Sequence, residues 1–192
     1  MGRIIKAIKE SINLKEKLLT NEMVGDISVI VGRCITALKR GNAIYWCGNG
    51  GSAADAQHLA AELSGRFYYD RPPLHSEALH CNTSYLTAVA NDYTYDKIYS
   101  RLIDGIGKPG DVLIGMSTSG KSLNIINAFS VAKKKGLIII GLTGESPELP
   151  FSMTTDEIIK VPSNDTPRIQ ESHMLIGHII CQLIEEEIYP KP

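Results

Sequence analysis

Ala43-Ile44-Tyr45-Trp46-Cys47-Gly48-Asn49-Gly50-Gly51-Ser52 runs straight into Ala53-Ala54-Asp55-Ala56-Gln57-His58-Leu59-Ala60-Ala61-Glu62. The first five residues are a continuous apolar run, the pattern of a buried strand. Three glycines, an asparagine and a serine then predict a tight loop. The alanine-rich run predicts a helix over 52–66, with Ser52 as its N-cap. A strand, a glycine loop and a helix in this order bring free backbone N–H groups and a positive helix end to one point, a setting for an anion. His58 and Glu62 are four residues apart and share a helix face. Groups able to move protons or bind a metal therefore follow an anion site within twenty residues.

Outward from this stretch the chain alternates strand and helix. Apolar runs predict strands at 43–47, 76–80, 111–116, 137–142 and 157–161, and helices at 52–66, roughly 84–103, 122–135 and 168–187. Runs such as Leu137-Ile138-Ile139-Ile140 lack alternation, so both strand faces are buried and the sheet is mainly parallel between helix layers. The expected fold is α/β, a three-layer sandwich with a five-stranded, mainly parallel sheet. Two helices precede it. Ile4, Ile5, Ile8, Ile12 and Leu14 mark the first, running toward Leu19. Val24, Ile27, Val31, Cys34, Ile35 and Leu38 mark the second, which ends at Arg40-Gly41. Neither a repeat nor a boundary divides the chain, so 1–192 reads as one domain with a helical extension over 1–41. The apolar stripes of that extension either cover its own core or meet another subunit.

Strand, polar glycine-containing loop and helix recur at 111–135. The loop is Ser117-Thr118-Ser119-Gly120-Lys121-Ser122. A helix cap needs one hydroxyl, whereas four converge here, and hydroxyls donate to phosphate oxygens beside a helix N-terminus. Gly115 to Ser122 also fits the P-loop string. Three things count against that reading: no strand ends in a carboxylate for magnesium, Gly115 sits more naturally at a strand end, and the first loop with His58 and Glu62 would go unexplained.

The final helix carries Gln170, His173 and His178 among apolar residues. Gln170 and His178 lie about 80° apart around it and can face one pocket from turns two apart. Buried polar groups need partners. His58, Glu62, Gln170 and His178 can serve one another or a divalent metal; His173 competes for the same role.

The chain has 192 residues, a net charge of −1, 43% hydrophobic and 21% charged residues. This fits a soluble globular protein and carries no electrostatic footprint for nucleic acid. No apolar run approaches a membrane span, and the charged, amphipathic start is unlike a signal peptide. Lys6 stands where a myristoylation signal wants Ser or Thr. Cys34, Cys47, Cys81 and Cys181 form no C-x-x-C pair, which fits buried thiols in a reducing cytoplasm.

These residues resemble a known family. Cys47-Gly-Asn-Gly-Gly-Ser-Ala-Ala-Asp-Ala-Gln-His58, Ala61-Glu-Leu-Ser-Gly-Arg66, Ala90-Asn-Asp-Tyr93, Ser117-Thr-Ser-Gly-Lys-Ser122 and Arg168-Ile-Gln-Glu171 with His178 are similar to the SIS-domain phosphoheptose isomerases. The resemblance implies a SIS-type fold and the isomerisation of sedoheptulose 7-phosphate to D-glycero-D-manno-heptose 7-phosphate, for heptose precursors of lipopolysaccharide or capsule. It implies that Asn49, Gly50, Gly51 and Ser52 line the substrate, and that Asn91 and Asp92 contact sugar hydroxyls. Ser117, Thr118, Ser119 and Ser122 hold the phosphate, and Gln170 touches substrate. Glu62 and His178 are the implied catalytic pair, and His58, Glu62, Gln170 and His178 the implied site for one zinc ion per subunit. A cytoplasmic homotetramer with sites at subunit interfaces is implied too. A similar branch is non-catalytic and binds the bacterial replication initiator; Glu62, Gln170 and His178 together favour the enzyme. Two departures are the loop Thr143-Gly-Glu-Ser-Pro-Glu-Leu-Pro150, where relatives have a longer glycine cluster, and Pro167, where some have Asp.

Overall fold

The computed structural model describes residues 1–147 and 149–191. Helices α1 (Gly2–Glu16) and α2 (Asn21–Lys39) lead into strand β1 (Ile44–Gly48) and helix α3 (Gly51–Ser64). Strand β2 (Ser76–Ala78), helix α4 (Thr83–Asp92), a single 3-10 turn (Tyr95–Lys97) and helix α5 (Ile98–Ile106) follow. Then come β3 (Val112–Ser117), α6 (Leu123–Lys135), β4 (Ile138–Thr143), α7 (Leu149–Thr154), β5 (Glu157–Lys160) and α8 (Thr166–Ile188). The five strands form one sheet in the order β2-β1-β3-β4-β5, with every pairing parallel. The expected three-layer α/β sandwich is therefore present, and its sheet is parallel throughout.

Two apolar clusters flank the sheet. One packs α1, α2, α3 and α8 through residues such as Leu14, Ile30, Leu59 and Ile180 against Ile44, Trp46 and Ile114. The other packs α5 and α6 through Ile98, Ile103 and Phe129 against Tyr45, Leu113 and Ile139. The strands face helices on both sides, which is why they read as unbroken apolar runs. Gly115 lies inside β3, paired with Cys47 and Gly141. A Cβ there would meet the Phe129 ring, so this glycine serves the packing of α6 and does not open a phosphate cradle. That removes the P-loop reading.

Several expectations need correction. Helix α3 begins at Gly51 with Gly50 as its N-cap, so Ser52 is not the cap but a buried residue of the first turn. The helix expected over 84–103 is broken. Asn91, Asp92 and Thr94 are poor helix formers, and Tyr93 and Thr94 leave helical geometry at φ −119° and −153°. The loop after β4 holds a short helix, α7; Glu148 within it lies outside the described residues. Pro167 sits in the first turn of α8, where its missing N–H leaves no bond unmade. Leu14 and Leu18 reach the core, but Ile4, Ile5, Ile8 and Ile12 remain exposed along α1.

Candidate active site

The strand order reverses between β1 and β3, and ligands of open α/β sheets bind at such a point, beyond the carboxyl strand ends. The two loops expected to hold substrate leave these two strands. Gly50 has φ +54°, a conformation that favours glycine. A Cβ on Gly48 would strike the Ser52 carbonyl, and one on Gly51 would lie 2.6 Å from Gln170 Nε2. The loop is thus folded tightly onto α3, with Gln170 of α8 resting on its first turn.

Asn49 is held in one orientation. Its Nδ2 donates to Asn124 Oδ1 (3.0 Å), and its Oδ1 accepts from Asn124 Nδ2 (2.8 Å) and from the Tyr95 hydroxyl (3.0 Å). Tyr99 donates to the Gly48 carbonyl beneath. Sequence reasoning missed Asn124, Tyr95 and Tyr99, which lie 46 or more residues from the loop residues they bond. Across the switch point, the Ser117 and Ser122 hydroxyls are 2.9 Å apart, and Ser119 Oγ accepts from the Lys121 N–H at 3.2 Å. Gly120 turns the loop at φ +65°, and the Thr118 carbonyl accepts from the Gly144 N–H (3.1 Å). Asn91 and Asp92 end α4, exposed and bonded to each other at 2.9 Å.

The other end of α3 carries a second constellation. Gly177 lets α8 approach closely, since a Cβ there would overlap Leu59. His178 consequently meets the His58–Glu62 face. His58 Nε2 lies 2.9 Å from Glu62 Oε1 and 3.1 Å from His178 Nε2. The Phe67 ring stacks on His178 at 5.5 Å between centroids and 19° between planes. One ligand atom from each of His58, Glu62 and His178 falls within 4.8 Å of the others. Burial, and then the neighbouring His58, push the His178 pKa below its usual value, against the pull of Glu62.

This donor set fits a divalent cation. A single proton on His58 Nε2 can point at the carboxylate or at His178, leaving one contact unmade, whereas a cation between the three satisfies all of them. Two imidazoles and a carboxylate suit zinc and similar borderline metals. The fourth expected ligand stands apart. Gln170 lies at Gly51, seven residues before His58, or roughly 10 Å along the helix. Within one chain, Gln170 belongs with the loop end and the three-donor set is His58, Glu62 and His178. His173 does not compete: it is buried, with Nε2 3.2 Å from the Thr143 carbonyl, and burial holds its pKa down at about 4.

Comparison with known proteins identifies the family. The SIS domain family profile matches residues 8–144. The chain is 51% identical over 191 residues to the phosphoheptose isomerase of Aneurinibacillus thermoaerophilus, covering 98% of this chain and 96% of that one. The chain belongs to the phosphoheptose isomerase branch of the SIS domain family. Two solved structures are similar over almost their whole length. Phosphoheptose isomerase GmhA from Neisseria gonorrhoeae has a TM-score of 0.90 at 37% identity, covering 96% of this chain and 98% of that one. A phosphoheptose isomerase from Francisella tularensis has a TM-score of 0.91 at 33% identity, covering 96% and 97%. The initiator-binding alternative finds no support in these relatives. Among the described residues, no helix is long and apolar enough to cross a membrane.

Proposed function

We propose that the chain is an aldose–ketose isomerase that converts sedoheptulose 7-phosphate to D-glycero-D-manno-heptose 7-phosphate, a step that supplies heptose precursors. The observation that carries this reading is the meeting of Glu62 and His178, 116 residues apart in sequence, at the far end of the helix that leaves the glycine loop. The Ser117–Ser122 loop and the start of α6 hold the phosphate with hydroxyls and backbone N–H groups. Asn49 and Gln170 flank the sugar chain, with Asn91 and Asp92 toward its hydroxyls.

The reaction moves two hydrogens. A base takes a proton from C1 of the ketose, the C2 carbonyl becomes the second oxygen of an enediol, and a proton then returns to C2 as C1 becomes the carbonyl. Oε1 of Glu62 faces His58, which leaves Oε2 to take and return the carbon-bound proton. Burial and then His58 lower the pKa of half-buried His178, which favours the neutral imidazole suited to carry a proton between O1 and O2. A zinc ion held by His58, Glu62 and His178 would supply Lewis acidity toward the substrate oxygens.

We also read the whole chain as one SIS domain with a helical extension, working in the cytoplasm as a homotetramer. The exposed stripe Ile4, Ile5, Ile8 and Ile12 supports subunit contact, as does the half-exposed His58 side chain at the edge of the cluster. The test is an isomerase assay on sedoheptulose 7-phosphate before and after chelation. Turnover that falls with chelation and returns with zinc is expected. A folded protein with no turnover under either condition would reject the reading.

A further inference from the structure

We propose that the buried pair Arg71–Glu185 is a positioning device for Glu62 and His178, acting partly through Phe67; the inference rests on the isomerase reading above. Neither residue belongs to a motif of the chain, and neither touches the sugar loops. Their side chains are 2% and 0% exposed, with Arg71 Nε 2.9 Å from Glu185 Oε1.

Arg71 reaches the end of α3. Its Nη2 donates to the Glu62 carbonyl (2.7 Å), and its Nη1 to the carbonyls of Leu63 (2.7 Å) and Gly65 (3.1 Å). The last carbonyls of a helix have no partner within it, and a left-handed glycine commonly caps them. Here the C-cap Gly65 has φ −92°, so no such cap forms, and the guanidinium takes its place. A cation at this pole also suits the helix dipole. The backbone of Glu62 itself is therefore pinned by Arg71.

Glu185 works from the other side. It follows His178 by seven residues, two turns on, and so shares its face of α8. Its Oε1 accepts from the Phe67 N–H (3.0 Å) and its Oε2 from the Tyr68 N–H (2.8 Å). The first of these bonds holds the backbone of Phe67, and the Phe67 ring is the one stacked on His178. One ion pair thus joins the backbone of the base to the wall of the proton shuttle. Stability alone is a weak reason to keep it, because a buried ion pair rarely outperforms apolar residues of equal volume. Convergence of its bonds on segment 62–72 gives it a positional role.

Two variants test the idea. R71K keeps a charge for Glu185 but loses the fork to the α3 carbonyls. F67L removes the stack and leaves both ionic side chains intact. Each is assayed for kcat and KM on sedoheptulose 7-phosphate, and for the ring NMR signals of His178 in protein carrying labelled histidine. R71K is expected to lower kcat about tenfold or more with KM within about threefold, because small misplacements at a reacting centre are expensive. The His178 signals should shift as the Phe67 ring current is lost, and F67L should reproduce that shift with a several-fold lower kcat. A folded R71K with lowered thermal stability but unchanged kcat and His178 signals would overturn the proposal. If R71K does not fold, F67L with wild-type kcat and unmoved His178 signals overturns it instead. If the wild-type protein turns nothing over while both variants move His178, the isomerase reading falls and the positioning role stands.

Discussion

The two ends of α3 are built by different means. At the amino end the backbone does the work. Gly48, Gly50 and Gly51 are neighbours in sequence, and their missing side chains let the loop fold onto the helix. At the carboxyl end side chains do the work. His58 and Glu62 meet His178 from 120 and 116 residues away. A binding site made of main chain resists point substitution of its exposed side chains; one made of converging side chains does not. Damage at the loop end should therefore appear as weaker binding, and damage at the cluster as lost turnover.

The largest effect expected is that of Glu62→Gln. The amide keeps the size of the side chain but cannot take a proton. Because the Glu62 carbonyl is bonded to Arg71, the local fold does not depend on the carboxylate. A fall in kcat of about 10²- to 10⁴-fold is expected, the range for general acid–base catalysis, with KM within about threefold. Turnover within a few-fold of wild type would remove Glu62 from the mechanism and end the contrast between the two ends.

Ser119→Ala comes next and probes the opposite end. The exposed hydroxyl of Ser119 stands beside the start of α6. A hydrogen bond to a charged oxygen contributes about 1.5–3 kcal/mol, so KM should rise about tenfold or more with kcat little changed. A loss confined to kcat would mean that the phosphate lies elsewhere and that the serine loop has another task.

The same contrast explains what the sequence made legible. The loop end could be read because its determinants are contiguous: an apolar run, glycines, then alanines with helical spacing. Gln170, Glu62 and His178 stood out because polar groups on apolar helix faces demand partners. Their grouping was harder to read. Gln170 and His178 are about 80° apart around the helix axis and about 12 Å apart along it, and the side chain of Gln170 rests at Gly51. Asn124, Phe67, Arg71 and Glu185 gave no signal, since an asparagine after a serine cap or a glutamate on a terminal helix is ordinary in isolation. Only the fold shows that Glu185 is fully buried. The broken helix after Asp92 is a boundary error with a local cause, the run of helix-poor residues from 91 to 94.

Tyr95→Phe should have the smallest effect, and it measures how far the loop end can stand without side chains. The Tyr95 hydroxyl donates to Asn49 Oδ1 at 3.0 Å, from a residue 50% exposed. The same oxygen accepts from Asn124 Nδ2 at 2.8 Å, and Asn124 is buried with its own Oδ1 tied to the Ile125 N–H at 3.0 Å. Removing the phenolic bond therefore leaves Asn49 oriented by a partner that cannot swing away. A net hydrogen bond is worth about 0.5–1.5 kcal/mol, and partial compensation puts the expected loss in kcat/KM at about two- to fivefold, shared between binding and turnover. Steady-state kinetics with the phosphate sugar decides the matter. A loss of about fiftyfold would show that Tyr95 itself touches the sugar. The amino end of α3 would then depend on a converging side chain just as the carboxyl end does, and the division of labour along this helix would be one of degree.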